Sequence, residues 1–239
     1  MIEAAVQESA ETGDLVSAAI GAITRHIRAN ELAPGDRLPS EATMSRELSV
    51  SRTVVREAFR SLAAMRLIDL SAGKRATVAQ LDDGAMSLMI DHGVHTAQIS
   101  INQVYDVRRT IETRTATLAA LRRTDAEAAV ILGHARAMQE NFGDADKVME
   151  CDLAFHLEIA RASRNPIFAI IVGAFQGVSR QTWPIGWRSR ASDADRQAMN
   201  SIHVALAEAI AAGDPQTAAA LMTRHFDESA KALLAAGIA

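Results

Sequence analysis

Apolar residues recur at helical spacing along most of the chain. Residues 14–30 carry one apolar stripe, which predicts a first helix. Two shorter stripes follow at 40–48 and 51–65, and each begins with a serine that can cap a helix. Apolar residues then cluster at 67–70 and 76–79, on either side of a glycine-bearing basic turn, which predicts two short strands. This pattern is typical of a helix-turn-helix followed by a β-hairpin wing.

The remainder of the chain is a succession of helical stripes with short interruptions. The predicted helices lie at 84–92, 101–122, 124–142, 144–163, 166–181, 193–212 and 214–235. Turn residues or proline interrupt the helical register between them, among them Asn165-Pro166 and the segment Trp183-Pro184-Ile185-Gly186. We therefore predict a mainly α-helical protein with two domains. Residues 1–80 form a winged helix-turn-helix with a small β-hairpin wing, and residues 84–239 form an all-α bundle of six or seven helices.

The composition agrees with helices that pack through small and aliphatic side chains. Apolar residues make up 49% of the chain and aromatic residues only 4%. The single cysteine, Cys151, cannot form an internal disulfide, and we expect it to be a core side chain and not a metal ligand. Neither a secretory leader nor an apolar run of membrane length is present. We therefore expect a cytoplasmic protein that does not enter a membrane.

The charge is unevenly distributed along the chain. The whole chain carries a net charge of −4, whereas residues 25–75 carry ten Lys or Arg and six Asp or Glu, a local charge of +4. The rest of the chain is therefore at −8. A basic region on an acidic protein favours contact with phosphates through that region alone. This supports nucleic-acid binding by the first domain, although segregated charge is also common on solvated surfaces.

The predicted third helix has polar residues on the outer side of its first turns. Arg52, Thr53 and Arg56 lie there, opposite the apolar stripe. Only the N-terminal residues of a recognition helix reach base edges in the major groove of DNA. An arginine can bond two acceptors of guanine at once, or a phosphate. These residues are candidates for DNA contacts, and the alternative is an ordinary solvated face.

Two segments of the first domain carry a dense motif. They are Pro34-Gly35-Asp36-Arg37-Leu38-Pro39-Ser40-Glu41 and Val50-Ser51-Arg52-Thr53-Val54-Val55-Arg56-Glu57-Ala58. The motif resembles the GntR family of bacterial repressors. The resemblance implies DNA contacts from Arg37, Ser51, Arg52, Thr53, Arg56, Gly73 and Lys74. It places Gly73 and Lys74 at the wing tip near the minor groove. Ala42 stands where members often have a DNA-contacting arginine and Ser49 where they have a turn glycine, so we expect one contact fewer and a strained turn.

Acidic and histidine side chains recur at helical spacing in the second domain. Asp152 and His156 stand four residues apart and share one face of a predicted helix, while His203 and His225 lie on two others. A buried imidazole needs a partner, and one divalent cation shared with a carboxylate would satisfy all three rings. This donor set suits zinc or nickel, and iron or manganese with added water ligands.

The same spacing resembles the FCD effector domain of the FadR-like branch of the GntR family. The segments 104–112 and 155–166 resemble it as well, so the likeness covers nearly the whole chain from about residue 15. The resemblance implies that the metal lies at the base of a cavity for an organic acid and that Arg108 binds the carboxylate of that acid. The alternative for Arg108 is a salt bridge to Glu112, one helical turn further on.

Other conspicuous side chains of the second domain have ordinary interpretations. A single inward histidine is more often a hydrogen-bonded core residue than a ligand. We expect this of His92, His95 and His134. Arg188 and Arg190 are expected to be solvated. Trp183 and Trp187 can either roof the cavity or pack at a dimer interface.

These features predict a DNA-binding regulator of transcription and not an enzyme. We expect a homodimer on a palindromic operator in double-stranded DNA, because one winged head reads only one half-site. A repressor that is released by a small carboxylate effector is the favoured form. Two alternatives remain open, a metal-dependent hydrolase and a bundle whose metal is purely structural.

Overall fold

A computed structural model of the chain describes residues 2–238, with side chains from Gly13 onward. These residues form eleven helices and one two-stranded antiparallel sheet, which confirms the predicted fold class. The helices are α1 (Ile2–Ala29), α2 (Glu41–Leu48), α3 (Arg52–Ala64), α4 (Gly84–His95), α5 (Ile101–Arg122), α6 (Asp125–Glu140), α7 (Ala145–Ala162), α8 (Pro166–Ala174), α9 (Gln176–Ser189), α10 (Asp193–Ala212) and α11 (Pro215–Ala235). The strands are β1 (Ile68–Asp69) and β2 (Thr77–Val78). None of the helices in residues 2–238 combines the length and the apolarity needed to cross a membrane.

The chain divides into two compact units, with the boundary between Ala85 and Met86. In the first unit α1 packs against α3, and their apolar faces enclose a core together with α2 and β1. Fully buried members of this core are Ile23, Leu38, Val55, Ala58 and Leu62. Helix α1 begins well before the predicted residue 14, because residues 2–12 are rich in the strong helix formers alanine and glutamate.

Local capping fixes the helix-turn-helix. Ser40 accepts a hydrogen bond from the backbone N–H of the third residue of α2 at 3.1 Å, and Ser51 does the same for α3 at 3.3 Å. Ser49 ends α2 in the left-handed region with φ 55°. This is the strained turn expected from the missing glycine, and such a conformation costs a non-glycine residue roughly 1–2 kcal/mol.

The wing is a short antiparallel hairpin. Ile68 lies opposite Val78, and Gly73 takes φ 71° in the turn between the strands, which favours glycine at that position. Arg37, from the turn after α1, forms an isolated antiparallel bridge with Thr77. The wing is therefore tied to the loop that precedes α2.

Helix α5 is the central helix of the second unit and lies against α11, α7 and α10. The core between these helices consists of small and aliphatic residues with two phenylalanines, Phe155 and Phe226. Three of the helices begin with a capping box, at Ser100, Thr124 and Ser192. Small core residues let the helices approach closely, so side chains from several helices can converge on one point.

The bundle differs from the prediction between residues 166 and 189. The helix predicted at 166–181 is two helices separated at Phe175, and α9 continues through Pro184 to its end at Ser189. The predicted interruption at Pro184 was therefore wrong, and the described residues of the second unit form eight helices instead of six or seven. Proline removes one helical hydrogen bond, but Trp183 and Trp187 stack at 4.9 Å on α9 and pack against the core, which offsets that loss.

Candidate metal centre and nucleic-acid interface

Three histidines from three helices converge inside the second unit. His156 of α7, His203 of α10 and His225 of α11 have ring centroids 4.6 to 6.0 Å apart. One nitrogen of each ring lies within 4.8 Å of one nitrogen of both others. All three side chains are buried, because each stands on the apolar face that its helix turns toward α5 and the core. The structure therefore brings together the three histidines singled out in the sequence.

Asp152, the fourth predicted ligand, lies beside two of the three histidines. It stands one turn before His156 on α7, and its Oδ1 lies 2.8 Å from His203 Nε2 and 3.9 Å from His156 Nε2. Burial alone would raise the pKa of the Asp152 carboxyl, but the contact with His203 and the neighbouring rings hold it well below its usual range. Asp152 is therefore an anionic group facing three imidazoles.

The donor atoms of this cluster fit a divalent metal ion. His203 Nδ1 lies 3.0 Å from the carbonyl oxygen of Met199, which makes it the N–H donor and leaves Nε2 with a free lone pair. His156 Nε2, His203 Nε2 and His225 Nδ1 are buried and have no hydrogen-bond partner. Each such atom costs about 1–3 kcal/mol, and a shared ion is a partner that can satisfy all three.

His225 is available as a neutral ligand. Its burial, with the neighbouring His203 and His156, lowers the pKa of the His225 imidazole well below the usual value. Metal ions bind the neutral imidazole and not the imidazolium. The contact between Asp152 and His203 is short but lacks the alignment of a hydrogen bond, as expected of two ligands of one ion.

Glu112 is a member of the site that the sequence reasoning treated only as an alternative partner of Arg108. It is completely buried on α5; its Oε1 accepts a hydrogen bond from Arg108 Nε at 2.8 Å, and its Oε2 lies 2.5 Å from His156 Nδ1. Burial would raise the pKa of the Glu112 carboxyl, but Arg108 and His156 lower it below its usual value. A carboxylate behind a ligating histidine fixes the orientation of the ring. In the sequence, the four-residue spacing between Arg108 and Glu112 pointed to Glu112 as a partner of Arg108. Nothing in the sequence linked Glu112 to His156.

We expect Glu112→Gln to lower the free energy of unfolding by about 3 kcal/mol, because it removes the only salt-bridge partner of buried Arg108 among the described residues. Asp227→Asn is the matched control, since Asp227 pairs with the neighbouring Arg109 on the surface at 2.8 Å. That pair should contribute about 1 kcal/mol or less. Urea unfolding of the two variants measures the difference. Equal losses of stability in the two variants would mean that the buried Arg108–Glu112 pair stabilises the fold no more than the surface pair does.

A partly open cavity lies beside the histidines. Its walls include Arg108, Asp152, His203 and the two stacked indoles of Trp183 and Trp187. The tryptophans, for which the sequence left two positions open, thus line the cavity. Arg108 forms the salt bridge given as its alternative role, because its Nε donates to Glu112. Its guanidinium also forms part of the cavity wall, and binding of a carboxylate there stays a prediction.

Arg190 also lines this cavity and is half-buried, so it is less solvated than expected. Because α9 runs on through Pro184, Arg190 follows Trp187 by three residues and shares its side of the helix. Arg188, two residues earlier, is exposed as expected. His92 and His95 are exposed, so the expectation that they are core residues was wrong, and His134 is half-buried. All three lie outside the histidine cluster.

The first unit presents a concave basic surface at the start of α3. Arg52, Gly73 and Lys74 line one groove together with Glu41 and Arg75. The turn of the wing and the first residue of α3 are therefore neighbours, although about twenty residues separate them in the sequence. This arrangement would allow one duplex to contact both.

The remaining residues predicted to contact DNA differ in their exposure and in the hydrogen bonds that they make. Thr53 and Arg56 are exposed on the first turns of α3, and Arg56 Nε donates to Glu41 Oε2 at 3.3 Å. The hydroxyl of Ser51 is used as the cap of α3. Arg37 is exposed beside β2. Arg52 is the arginine of this set that has no salt bridge within the described residues of the first unit and also lines the groove.

Two family models match the chain. The model described as "FCD domain" matches residues 103–228, and the one described as "Bacterial regulatory proteins, gntR family" matches residues 15–78. These ranges fall within the second and the first unit, respectively.

Curated proteins similar to the chain are regulators of transcription. The HTH-type transcriptional regulator LutR of Bacillus subtilis (strain 168) is 29% identical over 203 residues, which cover 83% of this chain and 92% of that protein. The galactonate operon transcriptional repressor of Escherichia coli (strain K12) is 29% identical over 160 residues, 64% of this chain and 69% of that protein. The solved structure of Streptococcus agalactiae GntR covers 89% of this chain and 97% of its own, with a TM-score of 0.63 and 23% identity. That structure supports the fold alone.

Proposed function

Because the chain belongs to the GntR family of bacterial regulatory proteins and carries an FCD domain, we propose that a small organic acid controls its binding to DNA. The chain is a DNA-binding regulator of transcription and not an enzyme, in agreement with the names of its relatives. In the proposed function it is a repressor, and the acid binds beside a divalent metal ion and releases the operator.

The observation that carries this proposal is the set of three buried imidazole nitrogens without partners, which face the carboxylate of Asp152. Asp152, His203 and His225 stand in the wall of a cavity that also contains a buried guanidinium, Arg108. An ion would satisfy the imidazoles, and an anion would satisfy the guanidinium. The two requirements meet in one cavity, which favours an acid as the ligand.

In this proposal Asp152, His156, His203 and His225 hold the ion, with zinc or nickel as the metals that best suit the donors. When bound, the ion supplies a positive centre for an oxygen of the effector. Arg108 binds the carboxylate through its free terminal amino groups. Glu112 keeps both Arg108 and His156 in position through contacts of 2.8 and 2.5 Å.

Helix α9 connects the cavity with α4, the helix that opens the second unit. Trp183 and Trp187 form its cavity side, and near its first turn Gly177 faces the carboxylate of Asp91 of α4. A Cβ at Gly177 would lie only 2.5 Å from Asp91 Oδ2, so the glycine permits this approach. The first turn of α9 has no side-chain cap of its own, and a carboxylate there is favoured by the helix dipole. Movement of α9 on effector binding would therefore be transmitted to α4 through this contact.

The effector must bind the released arrangement more tightly than the DNA-bound one, since equal affinity for both would shift nothing. Coupling between two sites is typically about 1–3 kcal/mol, or roughly 5- to 150-fold in affinity. We further propose that the protein acts as a homodimer on a palindrome, because one winged head reads a single half-site.

The test uses the full chain loaded with zinc and a duplex selected from a random library by its affinity for the protein. We expect at least one acid in a panel of metabolite carboxylates to weaken binding by roughly 5- to 150-fold, as measured by fluorescence anisotropy at fixed salt. Chelated protein should not respond to that acid. If no acid alters binding and chelation lowers only the thermal stability, the metal is structural and the sensing function is wrong.

A further inference from the structure

Arg190 is a charged group of the cavity that the proposed binding of one carboxylate does not use. It stands at the C-terminal end of α9, and its Nη1 donates a hydrogen bond to the carbonyl oxygen of Gly186 at 2.8 Å. Its other N–H groups have no protein acceptor among the described residues. Asp152 and Glu228 act on it only from beyond salt-bridge distance, and Glu228 is itself paired with Lys231 at 2.7 Å.

Arg190 is half-buried, and a guanidinium partly withdrawn from water without an anionic partner is unfavourable. Burial lowers the pKa of the Arg190 guanidinium, and the negative charge of Asp152 offsets this only in part. Buried charged groups of proteins are normally paired. The position of Arg190 in the cavity wall therefore calls for an anion that the described part of the chain does not supply.

Arg108 also keeps donors free for a ligand. Its Nε is bonded to Glu112, while its two terminal amino groups have no protein acceptor among the described residues. The guanidinium is held in place by the rings of Tyr105 and Phe226, with centroids 5.4 and 5.0 Å away. Two separate guanidinium groups with unused N–H donors thus line one cavity.

The net charge of the site also favours an anion that can pair with both arginines. The charged side chains in and directly behind the cavity wall are Arg108, Arg190, Asp152 and Glu112, which cancel one another. With the histidines neutral, a divalent ion leaves the loaded site with a net charge of +2. A monocarboxylate would neutralise half of this charge and leave one arginine without a partner. A dianion neutralises all of it.

We propose that the effector is a small dicarboxylate, with one carboxylate bound by Arg108 and the other by Arg190. This inference rests on the proposed function, because it assigns the chemical class of the acid that the cavity senses. Trp183 and Trp187 line the same cavity and would contact the carbon chain between the two carboxylates. Arg190 is thereby the residue that distinguishes dicarboxylates from monocarboxylates.

The experiment measures binding of matched acids to the zinc-loaded full chain by isothermal titration calorimetry at constant ionic strength. Succinate is compared with butyrate, and malate with 3-hydroxybutyrate, so that each pair differs by one carboxylate. We expect the dicarboxylate of each pair to bind at least about tenfold more tightly, as expected for an added charged hydrogen-bonded pair. The zinc content is measured after each titration, so that loss of the ion to the acid is not taken for binding.

Two variants on the same helix locate the effect. Arg190→Gln should weaken succinate binding by about tenfold or more and change butyrate binding by less than about twofold. Arg188→Gln is the matched control, because Arg188 is exposed and should leave both affinities unchanged. Arg108→Gln should weaken both classes of acid.

The possible outcomes separate the two proposals. If monocarboxylates bind as tightly as dicarboxylates to the wild-type protein, the dicarboxylate inference is wrong while the acid-sensing function stands. The same holds if Arg190→Gln and Arg188→Gln behave alike. If neither class binds, the sensing function itself fails, and this inference fails with it.

Discussion

Arg52→Ala is expected to weaken sequence-specific DNA binding by at least about 30-fold without changing the second unit. Arg52 is the first residue of α3, is exposed, and lines the groove that also contains Gly73 and Lys74 of the wing. An arginine that bonds a guanine edge contributes about 1–3 kcal/mol of discrimination. Two copies on a palindrome would therefore contribute about 2–6 kcal/mol, roughly 30-fold to 10⁴-fold in affinity. Fluorescence anisotropy with a selected operator at fixed salt measures this loss.

Arg60→Ala is the matched control for Arg52→Ala. Arg60 lies two turns further along α3, is exposed, and forms a surface pair with Glu57 at 2.7 Å. The substitution removes the same charge from the same helix, but Arg60 lies too far from the start of the helix to reach base edges. We expect a change of less than about threefold, of the size of one phosphate contact. Equal losses in the two variants would mean that α3 supplies only general positive charge.

Arg56→Ala should fall between these two variants. Arg56 is exposed on the next turn of α3, but its Nε already donates to Glu41 at 3.3 Å. Part of its hydrogen-bonding capacity is therefore committed within the protein. Ala42, where the family often has an arginine, offers no compensating contact on α2.

The helix-turn-helix could be predicted from the sequence because its signals are local. Ser40 and Ser51 were placed as caps from residue type and position alone, and both accept the expected backbone hydrogen bond. Ser49 was expected to be strained, and it has φ 55°. Helix periodicity likewise predicted that His156, His203 and His225 point inward. All three are buried, and they lie together.

The features that the sequence could not provide depend on contacts between distant helices. Pro184 marks a break by local rules, yet stacking of Trp183 on Trp187 and their packing on the core carry α9 past it. That continuation places Arg190 in the wall of the cavity, which the predicted break at Pro184 gave no reason to expect. Glu112 contacts His156 across two helices, and no sequence spacing encodes such a pairing.

Removal of the divalent ion is expected to lower the melting temperature of the protein by about 5–10 °C. An ion present at a hundred times its dissociation constant stabilises the folded state by about 2.7 kcal/mol, and each kcal/mol shifts a domain of this size by about 2–4 °C. The physical reason is that the apo site keeps three buried imidazole nitrogens without partners beside the anionic Asp152. Scanning calorimetry of zinc-loaded protein and of the same sample after chelation measures the shift.

His225→Ala should reproduce the effect of chelation and make the protein insensitive to added zinc. His225 is buried and neutral, and its Nδ1 has no hydrogen-bond partner, so a ligand is lost without breaking a hydrogen bond within the protein. We expect wild-type protein to bind one ion per chain by elemental analysis, and the variant to bind less than about one tenth of that under the same conditions. His134→Ala is the control, because His134 lies half-buried on α6 outside the cluster. A full complement of ion in His225→Ala, or none in the wild-type protein after soaking with zinc, would contradict the metal site.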